Sequence, residues 1–257
     1  MKPSGNDRWA FFVRCDKRSI TLCFMKCFVG TSGYSYKEWK GSFYPEKLPL
    51  KGMLGFYAQN FSTVEINYTF RQLPTENVVA NWCEQVPEAF QFVFKARQVI
   101  THFRRLQNAE KETDDFLRSA SLLERRQGPI LFQLPPNFKK DVPRLDAFLK
   151  HLGGRARAAF EFRHESWLDD EVFACLRAHA VALCVADADD LPAANLVRTA
   201  DWGYVRLRDE GYTDKDLGKW IKNIQSQDWE EAYVFFKHED SAAGPRMARR
   251  FVELAED

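Results

Sequence analysis

Eight short apolar runs recur along the chain at intervals of roughly 22–39 residues, each followed by a stretch with helical periodicity. They cover residues 28–31, 63–67, 90–95, 129–133, 158–163, 181–187, 203–208 and 232–237, and are rich in the Val, Ile, Phe and Tyr that suit a pleated strand. An interval of that size is too long for a hairpin and fits a strand–helix–strand crossover, so neighbouring strands are expected to run parallel. Eight such units over about 230 residues is the count of a closed (β/α)8 barrel of the TIM type, in the α/β class. An open doubly wound sheet is the alternative. The first turn, Gly30-Thr31-Ser32-Gly33-Tyr34, lacks the glycine spacing of a dinucleotide fold and disfavours it.

The intervening segments carry helix signals. Leu145, Phe148, Leu149 and Leu152 fall on one helical face, and Val172, Cys175, Leu176 and His179 repeat the spacing. Ser166-Trp-Leu-Asp169 and Thr213-Asp-Lys-Asp216 read as capped helix starts. Pro143 and Pro245 sit where a first helical turn is expected, and Gly153 where a helix ends. The link between the sixth and seventh runs, residues 188–202, is too short for a full helix and should make the barrel irregular there. A single domain over residues 27–257 is expected. Residues 1–26 hold a local excess of basic side chains and are read as a flexible extension, with Met25 as a candidate start.

Composition excludes several classes. Hydrophobic residues make up 45% and charged residues 28% of the 257, which fits a folded chain rather than a disordered one. The net charge of +1 gives no bulk attraction to nucleic acid or anionic lipid. No apolar run approaches the roughly 20 residues that cross a bilayer. The six cysteines (Cys15, Cys23, Cys27, Cys83, Cys175, Cys184) are scattered and no secretory signal precedes them, so reduced thiols and a cytoplasmic location are expected.

Chemistry in such a barrel occurs at the carboxyl ends of the strands, where the loops converge on the axis. Those ends carry Thr31 and Ser32; Glu65 and Asn67; Lys95; Gln133; Glu161, Arg163 and His164; Asp187; Arg206 and Arg208; and Lys237 and His238. Period-2 geometry puts Glu65 with Asn67, Glu161 with Arg163, Tyr204 with Arg206 and Arg208, and Tyr233 with Phe235 and Lys237. If the polar members point inward, two carboxylates and several cations share one mouth, and such a set needs mutual pairing or a ligand. A structural ion-pair layer is therefore weighed against a site.

The site reading assigns proton transfer to Glu161 and Glu65, with His102 as second acid/base. Lys95, Arg163, Arg206 and Lys237 would hold a phosphate or carboxylate, with Asn67 and Gln133 orienting it. Thr31, Ser32 and Tyr34 would contribute hydroxyls and backbone donors, and Trp167 an aromatic wall.

At these same positions the chain resembles the YecE-like proteins of unknown function, domain of unknown function 72. The matching segments are Val29-Gly-Thr-Ser-Gly-Tyr-Ser-Tyr36 with Trp39 and Phe43-Tyr44-Pro45, and Val64-Glu-Ile-Asn67 with Thr69-Phe70 and Leu73-Pro74. They continue with Phe94-Lys95-Ala96 and Ile100-Thr101-His102, then Gly128-Pro-Ile-Leu-Phe-Gln-Leu-Pro-Pro136 and Phe160-Glu-Phe-Arg-His-Glu-Ser-Trp167. Tyr204-Val-Arg206 and Tyr233-Val-Phe-Phe236 complete the set. The resemblance spans about residues 27–255 and implies a TIM-type barrel without implying a reaction. It departs where many such proteins carry His-Gly and Asn-Asn-Asp. Here Arg208-Asp209 and Lys237-His238-Glu239-Asp240 stand instead, both at the mouth.

Three functions follow. The first is an enzyme, hydrolase or lyase, acting on a small phosphorylated or carboxylated molecule without an assigned cofactor. The second is a barrel resembling sugar isomerases and apurinic endonucleases, dependent on a divalent metal held by Glu65, Glu161, Asp187 and His164 or His238. The third is a non-catalytic barrel that binds a ligand or, using the basic extension, nucleic acid. The absence of a nucleic-acid motif weighs against the last.

Overall fold

The computed structural model describes residues 11–14, 24–187, 196–237 and 242–256. Its strands are β1 (Phe11–Arg14), β2 (Phe24–Ser32), β3 (Thr63–Ile66), β4 (Gln91–Lys95), β5 (Gln127–Gln133), β6 (Ala158–Glu161), β7 (Ala182–Ala186), β8 (Trp202–Leu207) and β9 (Glu231–Phe236). β2 to β9 pair in chain order, all in parallel, and β9 returns to β2 to close the ring. The eight-stranded parallel barrel expected from the spacing is therefore present.

Helices α1 (Met53–Tyr57), α2 (Glu76–Glu84), α3 (Glu110–Ser121), α4 (Val142–Leu152), α5 (Asp170–Ala178) and α6 (Asp214–Gln225) lie in the crossovers, and α7 (Ala243–Glu256) follows β9. The β7–β8 crossover has no helix among the described residues, and residues 188–195 lie outside them.

Strand pairing begins before residue 27. β2 begins at Phe24, and β1 pairs antiparallel with its lower half, Phe11 opposite Cys27 and Arg14 opposite Phe24. β9 occupies the other flank of β2 at Lys26 and Cys27, so β1 takes the flank that β3 fills higher up. Phe11-Phe-Val13 has the composition to extend a sheet edge. The rest of residues 1–23 lies outside the described residues.

Alternation along the strands separates two cores. Phe28, Val93, Leu131, Ala159, Cys184, Trp202, Tyr204, Tyr233 and Phe235 fill the barrel interior, with Phe28 stacked on Tyr233 at 4.7 Å between ring centres. The alternate residues face the helices. Phe132 and Phe160 stack on each other at 5.0 Å and meet Phe148 of α4 at 5.4 and 6.2 Å. That is why Leu145, Phe148, Leu149 and Leu152 recur at helical spacing, and all four are buried. Because Phe160 and Phe162 point outward, Glu161 is committed to the axis.

The helix ends singled out in the sequence follow the expected chemistry with one exception. Asp141 caps α4 ahead of Pro143, and Gly153 ends it with φ of 57°. Thr213 and Asp216 close a reciprocal capping box on α6. We expect Thr213→Ala to cost about 1 kcal/mol, read as a lower urea midpoint at an unchanged slope. The exception is α5. Asp169, not Ser166, is its cap, and Ser166 accepts a hydrogen bond from the Lys140 amide instead. A short 3-10 turn, Glu165–Trp167, separates the two positions.

No disulfide joins Cys27, Cys83, Cys175 and Cys184, and Cys15 and Cys23 lie outside the described residues. Among the described residues no helix is long and apolar enough to cross a membrane.

Candidate functional site

Near the carboxyl ends of the strands, the apolar filling of the barrel gives way to charge. Arg206, third inward residue of β8, is buried and forks across the axis: Nη1 donates to Glu161 Oε2 at 2.6 Å and Nη2 to Glu65 Oε1 at 2.7 Å. Tyr204 donates to Glu65 Oε2 at 2.6 Å, and Ser32 donates to Glu65 Oε1 at 2.8 Å. Arg163 forms an ion pair with the other oxygen of Glu161. Both carboxylates are fully enclosed. Burial alone would drive Glu161 towards its neutral form, but the Arg206 and Arg163 charges outweigh it and hold the carboxyl below its usual range. The same two carboxylates overcome the burial of Arg206 and keep its guanidinium charged.

Above this layer lies a cavity of about 480 Å³. Its wall includes Arg71, Lys95, Arg163, Arg206, Arg208 and Lys237, with Tyr36, Asn67, Phe70, Gln133 and Pro136. Among the described residues, six cationic side chains and no carboxylate line it, and Glu65 and Glu161 lie beneath. The Nε–H groups of Arg163 and Arg206 are buried and find no acceptor among the described residues.

Lys95, at the end of β4, is half-buried with its ammonium 4.5 Å from the centre of the Phe70 ring. Burial and repulsion from Arg206 push its pKa down to about 8, against the opposing pull of Glu65 and Glu161. Thr69 fixes the Lys95 carbonyl with a 2.7 Å hydrogen bond, so the short turn after β3 positions both the lysine and the ring over which it lies.

Residues 28–257 match the model of the family described as protein of unknown function DUF72. The chain belongs to the DUF72 family. UPF0759 protein YunF of Bacillus subtilis (strain 168) is 25% identical over 226 residues, 82% of this chain and 78% of that protein. UPF0759 protein YecE of Escherichia coli (strain K12) is 37% identical over 109 residues, 42% of this chain and 40% of its own length. The crystal structure of a DUF72 family protein from Thermotoga maritima MSB8 superposes with a TM-score of 0.77 at 28% identity, covering 90% of this chain and 99% of that one. A DUF72 family protein from Enterococcus faecalis V583 shares the fold, with a TM-score of 0.74 at 19% identity over 90% and 96% of the two chains.

The DUF72 barrel thus brings Glu65, Lys95, Glu161, Arg163 and Arg206 to one mouth, with Asn67, Gln133 and Lys237 in the cavity wall. The other sequence candidates are not part of that wall. Thr31 is tied to Tyr57, and its hydroxyl donates to the Gly33 carbonyl. Ser32 orients Glu65. Tyr34 packs beside Tyr57, and its carbonyl accepts from Tyr44. Trp167 is wholly buried, stacked on Phe162 at 4.7 Å and donating to the Phe138 carbonyl. His102 sits in a π-helical turn, Val99–Phe103, outside the cavity wall, with its ring edge on Phe70 and Nδ1 2.8 Å from the Thr101 hydroxyl. Burial and the Lys95 charge favour its neutral imidazole.

The donor set for a metal at the mouth is taken up by other partners. Arginines engage Glu65 and Glu161, Tyr212 donates to Asp187, the Ser166 amide donates to His164, and His238 lies outside the described residues. One cluster of metal-type donors among the described residues is Asp146, Cys175 and His179, on the outside between α4 and α5. Its Asp146 already pairs with Lys150 and His179.

Phe70 and Arg71 were not among the sequence candidates for the wall. Arg208 shares a strand face with Arg206 and was legible from period 2, whereas Phe70 and Arg71 depend on a turn that strand patterning does not reveal.

Proposed function

We propose that this DUF72 protein binds a small phosphorylated or carboxylated molecule at the carboxyl-terminal mouth of its barrel and acts on it as a hydrolase or lyase. One observation carries the reading: a cavity whose wall, among the described residues, holds six cationic side chains and no carboxylate. Like charges gathered in a concave, partly desolvated site repel one another and are stabilised by an anion. Arginine suits this role because its planar fork pairs both oxygens of a carboxylate or phosphate. Glu65 and Glu161, first read as proton movers, are better placed as struts: they spread the Arg206 fork and pull Arg163 down beside it. Lys95 then becomes the group suited to proton transfer near neutral pH, with Asn67 and Gln133 orienting the substrate.

Thermal unfolding with inorganic phosphate, phosphoglycerate and citrate, each matched to sodium chloride of equal ionic strength, tests the anion site. An anion at ten times its dissociation constant should add about 1.4 kcal/mol and raise Tm by about 3–6 °C. The gain should fall in the Arg71→Ala/Arg208→Ala double variant, which spares the buried layer. Shifts no larger than the chloride control, or shifts that survive both substitutions intact, would refute the assignment.

A further inference from the structure

The cationic mouth contains one primary amine whose surroundings differ from those of the arginines beside it. Arg163 and Arg206 each hold a carboxylate. Lys95 has no ion pair among the described residues; its ammonium lies over the Phe70 ring, with Arg206 of β8 and Lys237, just after β9, in the same cavity wall. Glu65 and Glu161 are near enough to act through space, but Arg206 occupies them, and His102 stands behind Phe70 as a neutral ring. An amine that is desolvated, placed beside other cations and denied its own counter-ion is the arrangement that frees a lysine lone pair for attack on a carbonyl.

We infer that Lys95 is a covalent catalyst that forms an imine with an aldehyde or ketone bearing a phosphate or carboxylate, which the arginines of the mouth hold. This inference rests on the anionic reading above and narrows it to lyase-type chemistry on a carbonyl compound. The Nζ lone pair adds to the carbonyl carbon, and the carbonyl π pair moves to oxygen, which takes a proton. Nitrogen then gives up a proton to solvent, the hydroxyl takes one from solvent and leaves as water, and the nitrogen lone pair closes the protonated imine. A β-hydroxyl gives up its proton to solvent and departs as the carbonyl of an aldehyde, and the electron pair of the broken carbon–carbon bond flows into the imine to leave an enamine. Solvent protonates the enamine carbon, and water then adds to the imine carbon and releases the product carbonyl and the free amine. No oxidant or reductant enters the cycle. The lowered proton affinity of Lys95 supports this step, because a far larger fraction of this amine than of a surface lysine is unprotonated at neutral pH. Phe70 covers one side of the ammonium, and the Thr69–Lys95 hydrogen bond fixes the strand end that carries it.

The test is reductive trapping of the intact protein with pyridoxal 5′-phosphate and sodium borohydride at pH 7.5 in phosphate-free buffer, read by peptide mass spectrometry. Lys95 should be labelled on the order of tenfold or more faster than the exposed Lys51 and Lys111. Inorganic phosphate should suppress that label, and Lys95→Arg, which keeps the charge and removes the amine, should abolish it. Because the wild-type map compares lysines within one molecule, the result stands even if the variant folds poorly. If Lys95 is labelled no faster than the surface lysines while phosphate still raises Tm, the imine role is overturned and the anion site survives. If Lys95 is labelled preferentially but phosphate neither protects nor stabilises, the anionic substrate class is overturned and the reactive amine survives.

Discussion

Replacing Arg206 by Leu is expected to destabilise the folded barrel by about 3–5 kcal/mol at pH 7, the cost of leaving buried charges without their partner. The reason is geometric. One guanidinium bridges Glu161 at 2.6 Å and Glu65 at 2.7 Å, and both carboxylates are shut away from solvent. Tyr204 and Ser32 still hydrogen-bond Glu65 in the variant, but neither supplies charge. Arg206→Lys should fall between wild type and the leucine variant, since an ammonium keeps the charge but cannot fork to both glutamates. Urea unfolding measures the series, and a loss below about 1 kcal/mol for Arg206→Leu would mean that the carboxylates are not enclosed.

The pH dependence has a definite sign. Glu161 is held below its ordinary range in the folded protein, so its pairing stabilises the fold above that range and is lost as pH falls through the lowered value. Without Arg206 the buried carboxyl loses its main counter-charge and takes up a proton more readily. The gap between variant and wild type should therefore narrow as pH drops from 7 towards 4.

How far the sequence discloses this arrangement depends on which physical rule is in force. Alternation within a strand is local, so Phe160 and Phe162 facing the helices and Glu161 and Arg163 facing inward were legible from residue order alone. The face of α4 and the capping box of α6 are equally local. The pairing was not. Strand ends named Glu65, Glu161 and Arg206 as neighbours, yet only ring closure decides that one arginine is shared between two glutamates 96 residues apart in sequence. That sharing is what turns the two carboxylates from candidate proton movers into supports. The short turns were also hidden. Trp167 follows a polar strand end but is carried into the core by a 3-10 turn, whereas the turn at Tyr68–Phe70 brings Phe70 to the cavity wall. Such turns have no hydrophobic period to detect.

Lys95→Met is expected to make the protein more stable at neutral pH. Lysine ordinarily titrates near 10.5, and in the folded mouth it does so near 8. Below pH 8 both folded and unfolded chains carry the charge, and the folded state bears its full cost. That difference corresponds to about 3 kcal/mol, which relaxation and residual solvent contact reduce to about 2. Methionine fills a similar volume over Phe70 without the charge, so a gain of about 2 kcal/mol at pH 7, or about 4–8 °C in Tm, should follow.

The sign is opposite to that of a paired lysine, whose stabilisation is lost as pH rises. Between pH 8 and 10.5 the unfolded chain keeps the proton that the folded chain has released, so wild type gains stability as pH rises through that window. The methionine variant has no such group to titrate, and its advantage should shrink to near zero by about pH 10. Other titrating groups are common to both proteins and cancel in the difference. Urea midpoints at pH 7.0 and 9.5 decide the matter, and a variant that is less stable than wild type at pH 7 would show that Lys95 is well solvated or well paired. A measured gain would support the role proposed for the amine, since activity at such sites is commonly held at the expense of stability.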